Sequence, residues 1–108
     1  MTDLARTPEP PYYAVIFTAI HNVSPGDGYA ETAARILALA AEQPGFLGVD
    51  MANEEIDITV SYWADEVSIA AWKRNAEHAT AQHEGKARWY DAYEIRVARV
   101  ERAYGSTT

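Results

Sequence analysis

The chain contains no cysteine. That excludes disulfides, thiolate metal sites and a cysteine nucleophile, and it fits a reducing compartment. Basic residues are scarce: nine Lys and Arg stand against sixteen Asp and Glu, a formal net charge of -7. No Lys/Arg cluster offsets this balance, so nucleic acid is not an expected partner, and the acidity mainly serves solubility. No run of about 18 apolar residues occurs, so no membrane-spanning helix is expected. The opening MTDLARTPEPPYY lacks the apolar centre of a signal peptide, which makes a cytoplasmic location the expectation. His-x-His, HExxH and carboxylate–histidine ligand spacings are missing, so no metal is expected. A glycine-rich phosphate loop is missing as well. Gly26-Asp27-Gly28 is only a turn, and neither a nucleotide cofactor nor a bound flavin is implied.

What is present is apolar and aromatic. The 108 residues are 48% hydrophobic and include three Trp, seven Tyr and two Phe. That length fits one domain, which at this size buries roughly 65% of its unfolded surface. Residues 1–11 hold three prolines and read as a flexible arm, 12–104 as the folded domain and 105–108 as a flexible tail.

Residues 12–22, YYAVIFTAIHN, are β-branched and aromatic with apolar side chains on both faces, as in a central strand. SPGDG at 24–28 turns the chain, with Asp27 as a candidate N-cap. In the helix that follows, Tyr29, Ala33, Ile36, Leu37 and Ala40 recur at steps of three and four. Gln43-Pro44-Gly45 ends it. FLGVDMA at 46–52 and IDITVSYW at 56–63 are the next strands. The second alternates, with Ile56, Ile58, Val60 and Tyr62 on one face and Asp57, Thr59, Ser61 and Trp63 on the other. Asp65 then caps a second helix bearing Ile69, Trp72, Ala76 and Ala79 on one side, with a break or bend expected at Gly85. The last strand, 93–104, loses its alternation after Val97, and a bulge near Ala98 or Arg99 would restore it.

The order β-α-β-β-α-β with right-handed crossovers gives an α+β, ferredoxin-like fold: a four-stranded antiparallel sheet with both helices on one face. The other face then needs a cover. Two copies pairing sheet to sheet would bury it, so a homodimer is expected.

Gln43-Pro44-Gly45-Phe46-Leu47-Gly48, the strand ITVSYW, and a helix carrying Trp72-Lys73 and Glu77-His78 resemble the antibiotic biosynthesis monooxygenase (ABM) family over about residues 12–104. The resemblance implies a dimeric α+β barrel. Members of that family oxidise polycyclic phenolic compounds with O2 without metal or flavin, or bind and degrade haem. It therefore implies a cofactor-independent monooxygenase acting on an aromatic or quinol-type small molecule. A non-catalytic small-ligand-binding or stress-related module, and a haem-binding or haem-degrading protein, are the alternatives. The haem-degrading branch needs a first-strand asparagine. Here the matched place reads Ile16-Phe17-Thr18, and the nearest asparagine is Asn22, which weighs against haem.

The resemblance implies His78 as the base or orienting group and Trp72 as the indole wall. On an unbroken helix His78 lies roughly 120° from Trp72 and His83 roughly 20°, so His83 is a second candidate for the same face. His21, at the end of the first strand, is a third. Trp63 ends its strand, where it packs or lines the pocket mouth. Phe17 is a candidate lining residue, and Tyr62 or Tyr90 a phenol donor to a substrate oxygen. Trp89 and Tyr93 read as core or interface.

Overall fold

The structure, a computed structural model, describes residues 3–22, 26, 28–81 and 89–106. Its elements are β1 (Tyr12–His21), α1 (Tyr29–Ala41), β2 (Phe46–Asn53), β3 (Asp57–Trp63), α2 (Glu66–Ala81) and β4 (Tyr90–Val100). The four strands form one antiparallel sheet in the order β2-β3-β1-β4. This is the ferredoxin-like α+β arrangement, with the most apolar strand, β1, inside the sheet.

The turns explain where the helices stop. The N-cap position of α1 is Gly28, at φ 85°, and no side chain caps it. A left-handed glycine thus stands where a side-chain cap was expected, and Asp27 lies outside the described residues. After α1 the side-chain amide Nε2 of Gln43 donates to the Leu39 carbonyl at 3.1 Å, answering one of the free carbonyls of the last turn. Gly45 sits at φ +85°, and a Cβ there would lie 2.1 Å from Ser68 Oγ and 2.6 Å from Ser68 Cβ. Only glycine lets this turn pass under the first turn of α2. Asp65 caps α2 as expected: Ser68 N–H donates to Asp65 Oδ1 at 2.8 Å, and that bond holds the carboxyl below its ordinary range. The bend expected at Gly85 lies outside the described residues.

β4 corrects one expectation. Its register against β1 runs unbroken from Tyr12↔Val100 to Ile20↔Ala92, with no bulge at Ala98 or Arg99. The irregularity lies at the other end, between Ile20 and His21, where His21 pairs with Tyr90. Val100 simply faces the other way from Ile95 and Val97. The edge position of β4 tolerates this, because neither of its faces is fully covered.

Register assigns the faces. Tyr13, Val15, Phe17 and Ala19 of β1 lie beside Trp63, Ser61, Thr59 and Asp57 of β3. Trp72 of α2 stacks on Trp63, and Tyr29 of α1 packs against Tyr90, the partner of His21. Both helices therefore cover this face. They lie toward β2 and β3, and they leave Tyr93, Ile95 and Val97 of β4 exposed. The opposite face carries Ile58, Val60 and Tyr62, with Ile16 and Ile20. At one end of it, residues 3–11 lie against the sheet. Ala5 N–H donates to Asp50 Oδ1 at 2.7 Å, and Thr7 Oγ1 donates to the Tyr12 hydroxyl at 2.9 Å. At the other end Ile20, Ile56 and Ile58 remain exposed.

Candidate functional site

The helix-covered face holds two aromatic clusters, one at each end. At the first, Trp63 is completely buried. Phe46 meets it edge-on at 5.4 Å, Trp72 stacks on it at 6.0 Å, and its Nε1 donates to Ser61 Oγ at 2.9 Å. With its rings packed and its N–H answered, Trp63 stands in the core. Trp72 is half-buried with one ring face against Trp63. His78 stands six residues further along α2, about 9 Å at the helical rise. Its side chain, and all of His83, lie outside the described residues.

Tyr62 corrects a second expectation. Strand alternation turns it away from Trp63, onto the face opposite the helices. There its hydroxyl donates to Asp50 Oδ2 at 2.9 Å, and its ring meets Tyr12 edge-on at 5.9 Å. Burial, helped by the Asp50 carboxylate, pushes its phenol up to about 12. It cannot serve a pocket between helices and sheet.

The second cluster lies eight residues further along β1, about 26 Å away at the rise of a strand. Here His21 Nδ1 lies 2.5 Å from Asp57 Oδ2, and Asn53 Nδ2 donates to Asp57 Oδ1 at 3.0 Å. The Asp57 side chain is 4% exposed and that of His21 33%. Burying a carboxylate costs several kcal/mol unless polar partners answer it. Both oxygens of Asp57 have one. In the tautomer that donates Nδ1–H to the carboxylate, Nε2 carries a lone pair, the arrangement of an oriented general base. The hairpin makes this possible: Asn53 and Asp57 face each other across β2 and β3, and the β1–β3 register brings the end of β1 alongside.

Rings surround the pair. Tyr29 lies 6.5 Å from the His21 ring, 5.5 Å from Trp89 and 6.0 Å from Tyr90. Phe17 meets Tyr90 edge-on at 5.3 Å and stacks on Tyr93 at 5.7 Å. The Tyr90 hydroxyl donates to that of Tyr29 at a long 3.4 Å. Burial first, then that bond, raises the Tyr90 phenol, so it stays a neutral donor. Trp89 is buried, and among the described residues its Nε1–H has no hydrogen-bond partner. A buried donor left unanswered costs about 1–3 kcal/mol. A base, phenols and an unanswered N–H on an aromatic face suit a flat molecule with an acidic proton. Among the described residues, no group of three or more His, Asp and Glu could hold a metal ion.

The structure thus brings Phe17 and Tyr90 together, separates them from Trp63 and Trp72, and sends Tyr62 to the other face. Asp57 and Asn53 were missed. The available signal was phase: in 56–63 Asp57 alternates with Trp63, and Trp63 is the residue that meets the helix tryptophan. Alternation divides that strand into two faces and assigns neither to the interior; the helices cover its polar half.

No family model matches the chain. The fold is that of monooxygenases of the antibiotic biosynthesis type. The structure superposes on SnoaB, a cofactor-independent oxygenase from Streptomyces nogalater, with a TM-score of 0.67 and 16% identity over 90% of this chain and 100% of that one. A candidate antibiotic biosynthesis monooxygenase from Nitrosomonas europaea also gives 0.67, at 15% identity over 82% and 89%. Likeness at such identity establishes the fold. Kinship comes from sequence. The uncharacterized protein YqjZ of Bacillus subtilis (strain 168) is 48% identical over 104 residues, which is 94% of this chain and 90% of that protein. The chain belongs to the same family as YqjZ.

Proposed function

We propose that the chain is a cofactor-independent monooxygenase that oxidises an aromatic or quinol-type small molecule with O2. The His21–Asp57 pair, at 2.5 Å within an aromatic face, carries this reading. His21 Nε2 removes an acidic proton from the substrate, and the resulting phenolate or enolate is electron-rich enough to react with O2. For an activated methylene the steps balance. The carbanion adds O2 to form a C–O bond as a peroxide anion. That anion takes up the proton, then loses water as the second C–H bond breaks, leaving C=O. One oxygen atom enters the product and the other leaves in water. The substrate supplies all the electrons. Tyr90 donates to the developing oxyanion, and the surrounding rings exclude water.

Two copies act as a pair through the open sheet face. Exposed Ile20, Ile56 and Ile58 lie there beside a groove of about 260 Å³ lined by Thr18, Ala92, Glu94 and Arg96. A two-fold axis would set Glu94 of each copy against Arg96 of the other, so this surface complements itself. The assay is oxygen uptake with anthrone-like and quinol compounds. His21→Gln, which keeps a donor for Asp57 but removes the base, lowers it by about 10²- to 10⁴-fold. Uptake equal to buffer across the panel for the native chain overturns the proposal. Sedimentation of the native chain as single subunits at micromolar concentration overturns the pairing.

A further inference from the structure

We propose that Trp89 is the acceptor-binding residue of this site, its indole N–H donating to a carbonyl oxygen of an aromatic hydroxyketone whose hydroxyl lies at His21. This rests on the reading of His21 as the base. Of the two buried tryptophans, Trp63 has an answered N–H, and among the described residues Trp89 has no such partner. The orphan lies beside the base. Trp89 precedes Tyr90, the strand partner of His21, and its carbonyl accepts from Asn22 N–H. One ring, Tyr29, packs against both His21, at 6.5 Å, and Trp89, at 5.5 Å, so base and donor share a neighbour. His21 is open to solvent by a third and Trp89 is closed. The base is therefore the mouth of the site and the indole its floor.

The chemistry of the occupant follows. An indole N–H donates and cannot accept, so the group at the floor carries a lone pair. Edge-to-face rings favour a flat aromatic body. The imidazole at the mouth requires an acidic hydroxyl. In a hydroxyaryl ketone, loss of the hydroxyl proton spreads negative charge onto the carbonyl oxygen. The Trp89 hydrogen bond then strengthens as the anion forms, which is the direction that assists proton removal. The occupant takes the place of the Tyr29 ring. That ring belongs to the first residue of α1, which enters from a left-handed glycine and has no side-chain cap.

The test uses 4-hydroxyacetophenone and 4-ethylphenol, which share a phenol and differ in the carbonyl. Each is titrated into the full chain, labelled with 15N, while the assigned Trp89 indole and His21 ring resonances are followed. The ketone is expected to move the Trp89 indole resonance and to bind about tenfold more tightly than the phenol. Trp89→Phe is expected to abolish that preference, because it removes the N–H and keeps an aromatic ring in its place. Equal affinities with an unmoved Trp89 resonance overturn the inference; a His21 response to both probes would then leave the base in place. If neither probe perturbs His21 or Trp89, both readings fall. The resonance shift is read on the native chain, so the test stands even where Trp89→Phe does not fold.

Discussion

The two ends of the helix-covered face are built from the same residue types and are put to opposite uses. At the Trp63 end, each ring has a ring against it, and the Trp63 indole N–H donates to Ser61. At the His21 end, a carboxylate is buried, a histidine is left a third exposed, and a buried indole N–H has no partner among the described residues. The first end satisfies everything it buries and stabilises the fold. The second retains unsatisfied and ionisable groups that a packed core would do without. Aromatic content alone does not separate a core from a site; the state of the polar atoms among the rings does.

Exchanging the ends in experiment should give opposite phenotypes. The largest effect is on turnover: His21→Gln cuts oxygen uptake by about 10²- to 10⁴-fold with little change in the urea midpoint. A collapse of the midpoint together with activity would show that His21 is structural after all. Next is Trp63→Ala, which should lose about 3–5 kcal/mol of stability in denaturant titration, since it empties a completely buried indole site. The fraction that stays folded should keep its activity per molecule. If it does not, the two ends are coupled and the division fails.

A smaller effect involves the opposite face. In the native chain Tyr62 keeps its proton to about 12, whereas in the unfolded chain it ionises at its ordinary value of 10.0. Between those values the unfolded chain binds fewer protons than the native one, so stability falls as pH rises. Below pH 10 this contribution is fully present. Tyr62→Phe should flatten the decline in Tm measured from pH 9 upward, and an unchanged slope would break the assignment. The smallest effect is expected of Asp65→Ala, which removes the exposed cap of α2. It should lower Tm slightly near neutral pH, and the difference from the native chain should shrink as acid protonates the cap. Neither Tyr62→Phe nor Asp65→Ala should alter turnover, because neither residue touches the His21 cluster.

Much of the fold was legible in the chain by itself. β-branched runs, helical stripes and the Pro44-Gly45 stop are local signals, and backbone propensity and side-chain period act over the few residues that carry them. They sufficed for six elements in order, and the crossover rule turned that order into one sheet. The Asp65 cap is equally local, because its partner Ser68 is three residues away. The site was not legible in the same way. His21 and Asp57 are 36 residues apart, and the link between them exists only once β1 and β3 have taken their register. Alternation alone divides 56–63 into two faces without saying which one the helices cover. The packing of Trp72 on Trp63 decided it. It carried Asp57 inward with Trp63 and turned Tyr62 outward, because one residue of phase in a strand reverses the direction of every side chain.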